Sequence, residues 1–415
     1  MEFSKEIQDF LQKEYAGVDI YSMSVDELKQ FREELVEKRQ EYFMLEMAMK
    51  TLGNAAYGAS ANHHFYFYNV QLAGDITGEC RNLTKTMNAN FIKWFHEDIW
   101  ERKDLWKKFD FELDESKHDW YRKQDVWIYS DTDSSYITYG TFFQAMTPEY
   151  QKKYETDKAK LDWILKYNKE FQDSLNNQWC EEIYGPRHGK NAHEFELETV
   201  SFAGVYLKKK KYLKGLAFSK GKYFDKPKIS GTGIELIKST TPKLCREILQ
   251  DLTYSLMMEF DNSTEQSREE YIFYFNEKLS QWRKKFFSVP EEDISQSVGI
   301  GDYNKYIISD EENLILAPKC PVSVHAIARY NWLANKNGQA DKKQYSGKIK
   351  YYNISISPKQ TGYFGFPAGE LPSWAPKIDR TIQWEKTVIK PINGFLEVMK
   401  IPAANPYNVT QLSLF

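Results

Sequence analysis

Between Val25 and Tyr57 about thirty residues pass without a proline, and a helix of that length spans roughly 50 Å. Ser24-Val-Asp-Glu27 opens it as a capping box, the serine bonding forward while the glutamate reaches back. Leu28, Phe31 and Leu35 recur at helical spacing, and the first half is otherwise polar. Such a helix cannot bury an apolar stripe on itself, so an antiparallel partner helix is expected. Only a short amphipathic segment precedes it, residues 4–15, with Ile7, Phe10 and Leu11 on one face. Gly58 is expected to close the long helix.

The rest of the chain alternates between helical and strand patterns. An aromatic stretch, "HHFYFYNV", is followed by a helical region over 72–105, then by two strands around Asp131 and Asp133. Residues 148–183 are helical and charged. "HEFELETVSFAGVYLKKKKYLKGLAF" (193–218) alternates like antiparallel strands, which puts four consecutive lysines, Lys208 to Lys211, within a strand. A helix starts at Thr241-Pro242, a second covers about 266–286, and the Gly-, Pro- and aromatic-rich stretch 340–380 reads as irregular or short-stranded. The fold class is α+β: a helical arm, a sheet-bearing centre and a mostly helical end.

Composition narrows the function classes. Aromatic residues make up 16% of the chain, too many for disorder. No run of 18 apolar residues exists, and the N-terminus is neither a signal nor a transit peptide. Four scattered cysteines without a CxxC pair indicate a reducing compartment and argue against structural zinc; His63-His64 is not a metal-ligand spacing. The net charge of −3 is not the basic total of a nucleic-acid binder. Its distribution differs, because Lys208 to Lys228 holds nine lysines against the single acid Asp225, enough to track a phosphate backbone locally.

Three constellations carry chemistry. Asp131 and Asp133 sit at a hairpin tip where their oxygens can converge on a hard cation such as Mg²⁺. A lone DxD is also a common polar turn, and a nucleotide-sugar transferase uses the same pattern. A helix–loop–helix calcium site is excluded, since its glycine and glutamate positions hold Tyr136 and Phe142. Lys50, Asn54 and Tyr57 stand at i, i+4 and i+7 on one helix face, a stripe suited to a nucleoside triphosphate. Lys208 to Lys211 with Tyr212 could contact phosphates without reading sequence, or could be a solvated edge strand.

Together these motifs resemble those of family B DNA polymerases. "KTLGNAAYG" (50–58) resembles the B motif, Lys-x-x-x-Asn-Ser-x-Tyr-Gly; "YSDTDSSYI" (129–137) the C motif; "KKKKY" (208–212) the lysine-lysine-x-tyrosine motif. Order and spacing agree. The likeness is to the replicative enzymes of T-even-type phages, and it extends through "KPKISGTGIELIKSTTPK" (226–243) and "FGFPAGELP" (364–372) to "QLSLF" (411–415). It implies a right-hand architecture with an antiparallel-sheet palm: the second half of the fingers over 1–61, the palm over 62–233 and the thumb with its tail over 234–415. It further implies that Asp131 and Asp133 are catalytic and bind two Mg²⁺ ions. Lys50, Asn54 and Tyr57 would bind the deoxynucleoside triphosphate, and Lys209, Lys210 and Tyr212 the primer-template DNA. Leu412, Leu414 and Phe415 would engage a sliding clamp. Glu198 is a looser candidate for a third palm carboxylate, and Ala55 stands where the family has serine.

The family's other motif, aspartate-x-x-serine-leucine-tyrosine-proline-serine, does not occur in the sequence. Neither do the preceding fingers helix and the exonuclease motifs. Two-metal transfer needs carboxylates from both sides of the ions. The expectation is therefore a split polymerase, whose N-terminal half carries the opposing aspartate, in the cytoplasm of a host cell. The alternative is a non-catalytic module that binds primer-template and clamp.

Overall fold

The computed structural model describes residues 22–131, 134–188, 195–260, 264–308, 314–358 and 360–405, with side chains throughout except at 174–188. Helices and antiparallel strands are mixed along the chain, as the α+β reading expects. Two compact units result, one within Met1–Trp94 and Asp125–Thr138, the other within Phe95–Gln124 and Tyr139–Phe415.

In the first unit, helix α1 covers Val25–Ser60. Its capping box forms: Ser24 N donates to Glu27 Oε2 at 2.7 Å and Glu27 N to Ser24 Oγ at 3.4 Å. The Ser24 hydroxyl and then its backbone N–H, both facing the Glu27 carboxyl, hold that carboxyl below its ordinary range. Ser60 is the only buried residue of α1, whereas Met44, Met49 and Leu52 are 59%, 63% and 66% exposed. The helix does not close at Gly58, because a glycine in helical conformation weakens a helix without ending it. It stops two residues later. There Ser60 Oγ donates to the Tyr57 carbonyl at 2.6 Å, and Asn69 N–H takes the Ser60 carbonyl at 2.9 Å. Asn69 then caps helix α2, Val70–Lys93, its side chain accepting from Leu72 N at 3.0 Å. Helix α2 touches α1 and both strands of a hairpin, β1 (Trp127–Asp131) and β2 (Ser134–Ile137). The expected segment 4–15 lies outside the described residues.

The second unit opens on a nest of aromatic rings from residues 95–124 and 139–171. Phe95, Phe111, Tyr121 and Phe142 are nearly or fully buried, and Trp163 stacks on Tyr167 at 4.8 Å. Three buried indoles find acceptors, Trp100 on Phe95 O, Trp106 on Ile99 O and Trp163 on Phe109 O, as such rings require. The charged helix α3, Asp157–His188, follows.

Strands β3 (Thr199–Lys208), β4 (Lys211–Ser219) and β5 (Lys222–Thr232) form an antiparallel sheet in that order. Its residues Val205 and Leu213 share a core with helices α4 (Lys243–Met258) and α5 (Glu265–Ser288). Helix α4 starts with Pro242 as the cap residue rather than inside the first turn. Helix α5 ends where Arg380 donates to the Phe286 and Val289 carbonyls at 3.1 and 2.8 Å, satisfying groups a helix terminus leaves open.

The stretch read as irregular or short-stranded holds two strands, of ten and eight residues, of a second sheet. That sheet comprises β6 (Gln296–Gly299), β7 (Lys348–Ser357) and β8 (Gln360–Pro367). Alternation explains it: Tyr352, Ile354, Phe364 and Phe366 are buried together with Ala326, Ile327 and Tyr330 of helix α6, Val322–Lys336. Gly365 admits the helix, since a Cβ there would stand 3.1 Å from Ala326. A buried amide pair joins this sheet to the chain beyond it. Gln383 Oε1 accepts from Asn353 N and Nδ2 at 3.0 and 2.6 Å, and Gln383 Nε2 donates to Ile294 O at 2.6 Å. Helix α7, Lys390–Val398, completes the described fold. Cys80, Cys245 and Cys320 are free thiols. Among the described residues no helix is long and apolar enough to cross a membrane.

Candidate functional site

The hairpin pairs Asp131 with Ser134, Ser130 with Ser135 and Tyr129 with Tyr136. The Tyr129 and Tyr136 rings meet at 5.7 Å, a cross-strand contact that favours this register. Asp131 is half-buried at the end of β1, and Ser134 Oγ donates to its carbonyl at 3.1 Å. Asp133 lies outside the described residues. Behind the strands a polar cluster centres on Asn88 of α2. Asn88 Nδ2 donates to Ser130 Oγ at 2.9 Å, and Ser135 Oγ donates to Asn88 Oδ1 at 2.5 Å. Trp127 Nε1 adds a bond to Ser130 Oγ at 2.8 Å. Nothing in the sequence singles out Asn88, which sits in a helical pattern 42 residues from its partner.

Mg²⁺ takes oxygen donors; of the two aspartates expected to hold it, Asp131 lies within the described residues. Among the described residues no group of three or more His, Cys, Asp or Glu side chains is placed to hold a metal. Glu198 is exposed and belongs to the second unit, where it pairs with Lys220 at 3.5 Å.

The four lysines are not a strand. Lys208 ends β3, Lys211 begins β4, and Lys209-Lys210 is the turn between them, with Lys210 at φ 58°. The backbone of Gly233 (φ 67°) lies against this turn, an approach that the lack of a Cβ permits. A Cβ on Gly233 would stand 2.1 Å from the Lys210 carbonyl oxygen, and one on Gly231 2.4 Å from that of Tyr212. Both glycines belong to the "SGTG" run, whose role the strand pattern did not show. The lysines then divide. Lys208, Lys209 and Lys210 are exposed, whereas Lys211 is half-buried and ion-paired with Glu235 at 3.2 Å. Burial alone would raise the Glu235 carboxyl; its own backbone N–H, Lys211 and Lys238 outweigh that and hold it below the ordinary range. Tyr212 is 8% exposed and stacks on Tyr206 at 5.4 Å. Lys214 Nζ lies 5.8 Å from the Tyr212 ring centroid, and burial pulls its pKa down.

Lys50, Asn54 and Tyr57 all lie on the exposed length of α1, where Lys50 pairs with Glu46 one turn back. Surface pairs of this kind contribute little. Leu412, Leu414 and Phe415 lie outside the described residues.

No family model matches the chain. It is nevertheless related in sequence to a DNA polymerase. Over 373 residues, 85% of its length, it is 22% identical to the DNA-directed DNA polymerase of Escherichia phage RB69. The chain spans 36% of that relative.

Proposed function

We propose that this chain is the C-terminal portion of a family B-type DNA polymerase, supplying part of the fingers (1–61), the palm (62–233) and the thumb (234–415). The observations that carry this are the ordered set of three motifs in the sequence and the 373-residue match to a DNA-directed DNA polymerase. Asp131 and Asp133 would hold Mg²⁺ ions, which activate a primer 3′-hydroxyl and neutralise the triphosphate in nucleotidyl transfer. Lys50 offers an exposed ammonium to the triphosphate, with Asn54 and Tyr57 beside the nascent base pair. Lys209 and Lys210 present charge to the primer-template backbone from a tight turn, a contact that positions without reading sequence. Leu412, Leu414 and Phe415 would tether a clamp.

An N-terminal half would bring the opposing aspartate and a helix for α1. The long apolar exposure of α1 supports that docking, since an isolated amphipathic helix gains its stability from packing. The test is Mg²⁺-dependent primer extension by the full chain mixed with an N-terminal polymerase fragment carrying the missing aspartate motif. Extension by the mixture, lost in Asp133→Ala, is expected. Extension by the chain alone overturns the split arrangement, and DNA binding without extension in any mixture establishes a non-catalytic module.

A further inference from the structure

Two lysines of β5 meet on one ring. Strand β5 is an edge of the sheet it forms with β3 and β4. Lys222 Nζ lies 5.5 Å and Lys228 Nζ 5.9 Å from the centroid of the Phe224 ring. In a regular strand six residues span about 20 Å, so lysines that far apart do not ordinarily share a ring. The register explains the convergence. Phe218 pairs with Tyr223 and Leu216 with Lys228, which leaves residues 224–227 opposite Ala217 alone. A bulge of this kind bends its strand and re-aims the side chains. Phe224 is half-buried, while Lys222, Lys226 and Lys228 are exposed. Among the described residues none of these three lysines takes a carboxylate partner, not even the neighbouring Asp225, whereas Lys211, Lys220 and Lys238 do.

Lysines, a proline and a bulge all keep other strands from pairing with an exposed edge. Pro227 and the bulge serve that purpose here without any need for two ammoniums on a shared ring. Attraction to the ring holds each ammonium in place, which reduces the side-chain entropy lost when an anion binds. Two such charges, exposed and without carboxylate partners, complement an extended polyanion. We propose that Lys222 and Lys228, held by Phe224, form a second contact to the phosphate backbone of duplex DNA, separate from the lysine turn. The choice of DNA as the polyanion rests on the polymerase reading. Lys228 pairs with Leu216 and Lys222 with Ser219 on β4. These partners lie about 17 and 27 Å along the strand from Lys211, at roughly 3.4 Å per residue. The β5 pair therefore meets other phosphates than Lys209 and Lys210 do.

The affinity of the full chain for duplex DNA, followed against salt, tests it. The variants are Lys222→Gln, Lys228→Gln and, as a control, Lys226→Gln, each checked for folding by thermal melting. Every phosphate contact contributes a slope of about 0.9. Lys222→Gln and Lys228→Gln are each expected to lower the slope by about one. Lys226 is exposed on the same strand but is not held on the ring, so its loss should lower the slope by much less. Phe224→Leu keeps every charge and should weaken binding roughly twofold to fivefold at fixed salt. Equal losses at all three lysines would show diffuse attraction to a charged strand and overturn the contact. Unchanged slopes, or a parent chain that binds no duplex, would overturn it too. Primer extension judges the polymerase reading separately. Lowered slopes without extension in any mixture keep the β5 contact and remove the polymerase; extension with unchanged slopes does the opposite.

Discussion

Asn88 Nδ2 and Ser130 Oγ are 2.9 Å apart, and the same amide's oxygen accepts from Ser135 on the opposite strand. One side chain of α2 thus holds both strands of the hairpin that ends in Asp131. A slip of one residue in that register would turn every hairpin side chain to the other face. Asn88→Ala is expected to weaken the hairpin locally by about 1–3 kcal/mol, the range for removing one partner from half-buried polar groups. Amide hydrogen exchange at Ser130 and Ser135 should accelerate roughly tenfold to a hundredfold, with no change in β7 and β8. Unchanged protection at Ser130 would show that the strands hold themselves.

Gly233 sets the shape of the lysine turn from outside it. Its φ of 67° disfavours any other residue, and an added Cβ would overlap the Lys210 carbonyl. Gly233→Ala should therefore destabilise the chain by about 1–3 kcal/mol, combining backbone strain with displacement of the turn. Gly299 is the control: its φ is not positive and a Cβ there meets nothing within 4 Å, so Gly299→Ala should leave the melting temperature nearly unchanged.

The buried amide pair makes a different prediction. Gln383 and Asn353 are both fully buried, and Gln383 serves three hydrogen bonds. Gln383→Leu keeps the volume but removes the acceptor of Asn353 N and Nδ2 and the donor to the Ile294 carbonyl. Each unsatisfied buried group costs about 1–3 kcal/mol, so urea unfolding should show a lower midpoint. A midpoint equal to that of the parent chain would mean the pair is replaceable by packing.

Local signals in the sequence determined the elements they bear on, and contacts between distant segments did not. The capping box at Ser24 and Glu27 formed as the spacing indicates. The hairpin around Asp131 was legible because β-formers flank the turn on both sides. The lysine run misled because four like residues carry no alternation, so nothing marked Lys209-Lys210 as a reversal; the cue sat 23 residues on, at Gly233. In the 340–380 stretch strands were one of two readings, and their length was obscured by glycines that read as breakers, although Gly365 serves to admit α6 against the sheet. Asn88 was invisible for the same reason: its role exists only once α2 lies behind the strands.

The divided environment of the lysines separates two effects of charge removal. Lys209 and Lys210 are exposed, so Lys209→Ala combined with Lys210→Ala should lower the salt slope of DNA binding by about two while leaving the melting temperature nearly unchanged. Lys211→Ala should do the reverse, because its ammonium faces Glu235 across a half-buried pair. Equal salt slopes in all of these proteins would remove the turn from the nucleic-acid surface.

Glu235 supplies the pH dependence of that same corner. Its carboxyl is held below the usual 4.5, so the unfolded chain binds its proton at a higher pH than the native chain does. Stability from this group is fully present above the unfolded value and is lost as pH falls through the lower folded value. Glu235→Gln should then be less stable than the parent at pH 7, and the gap should narrow as pH drops below about 4.5. Lys211→Ala should narrow the acid-side difference as well, since part of the depression comes from its charge. Urea midpoints for the three proteins across pH 3–7 measure this. A gap that stays constant below pH 4 would place the stabilisation in uncharged hydrogen bonds instead of the Lys211–Glu235 ion pair.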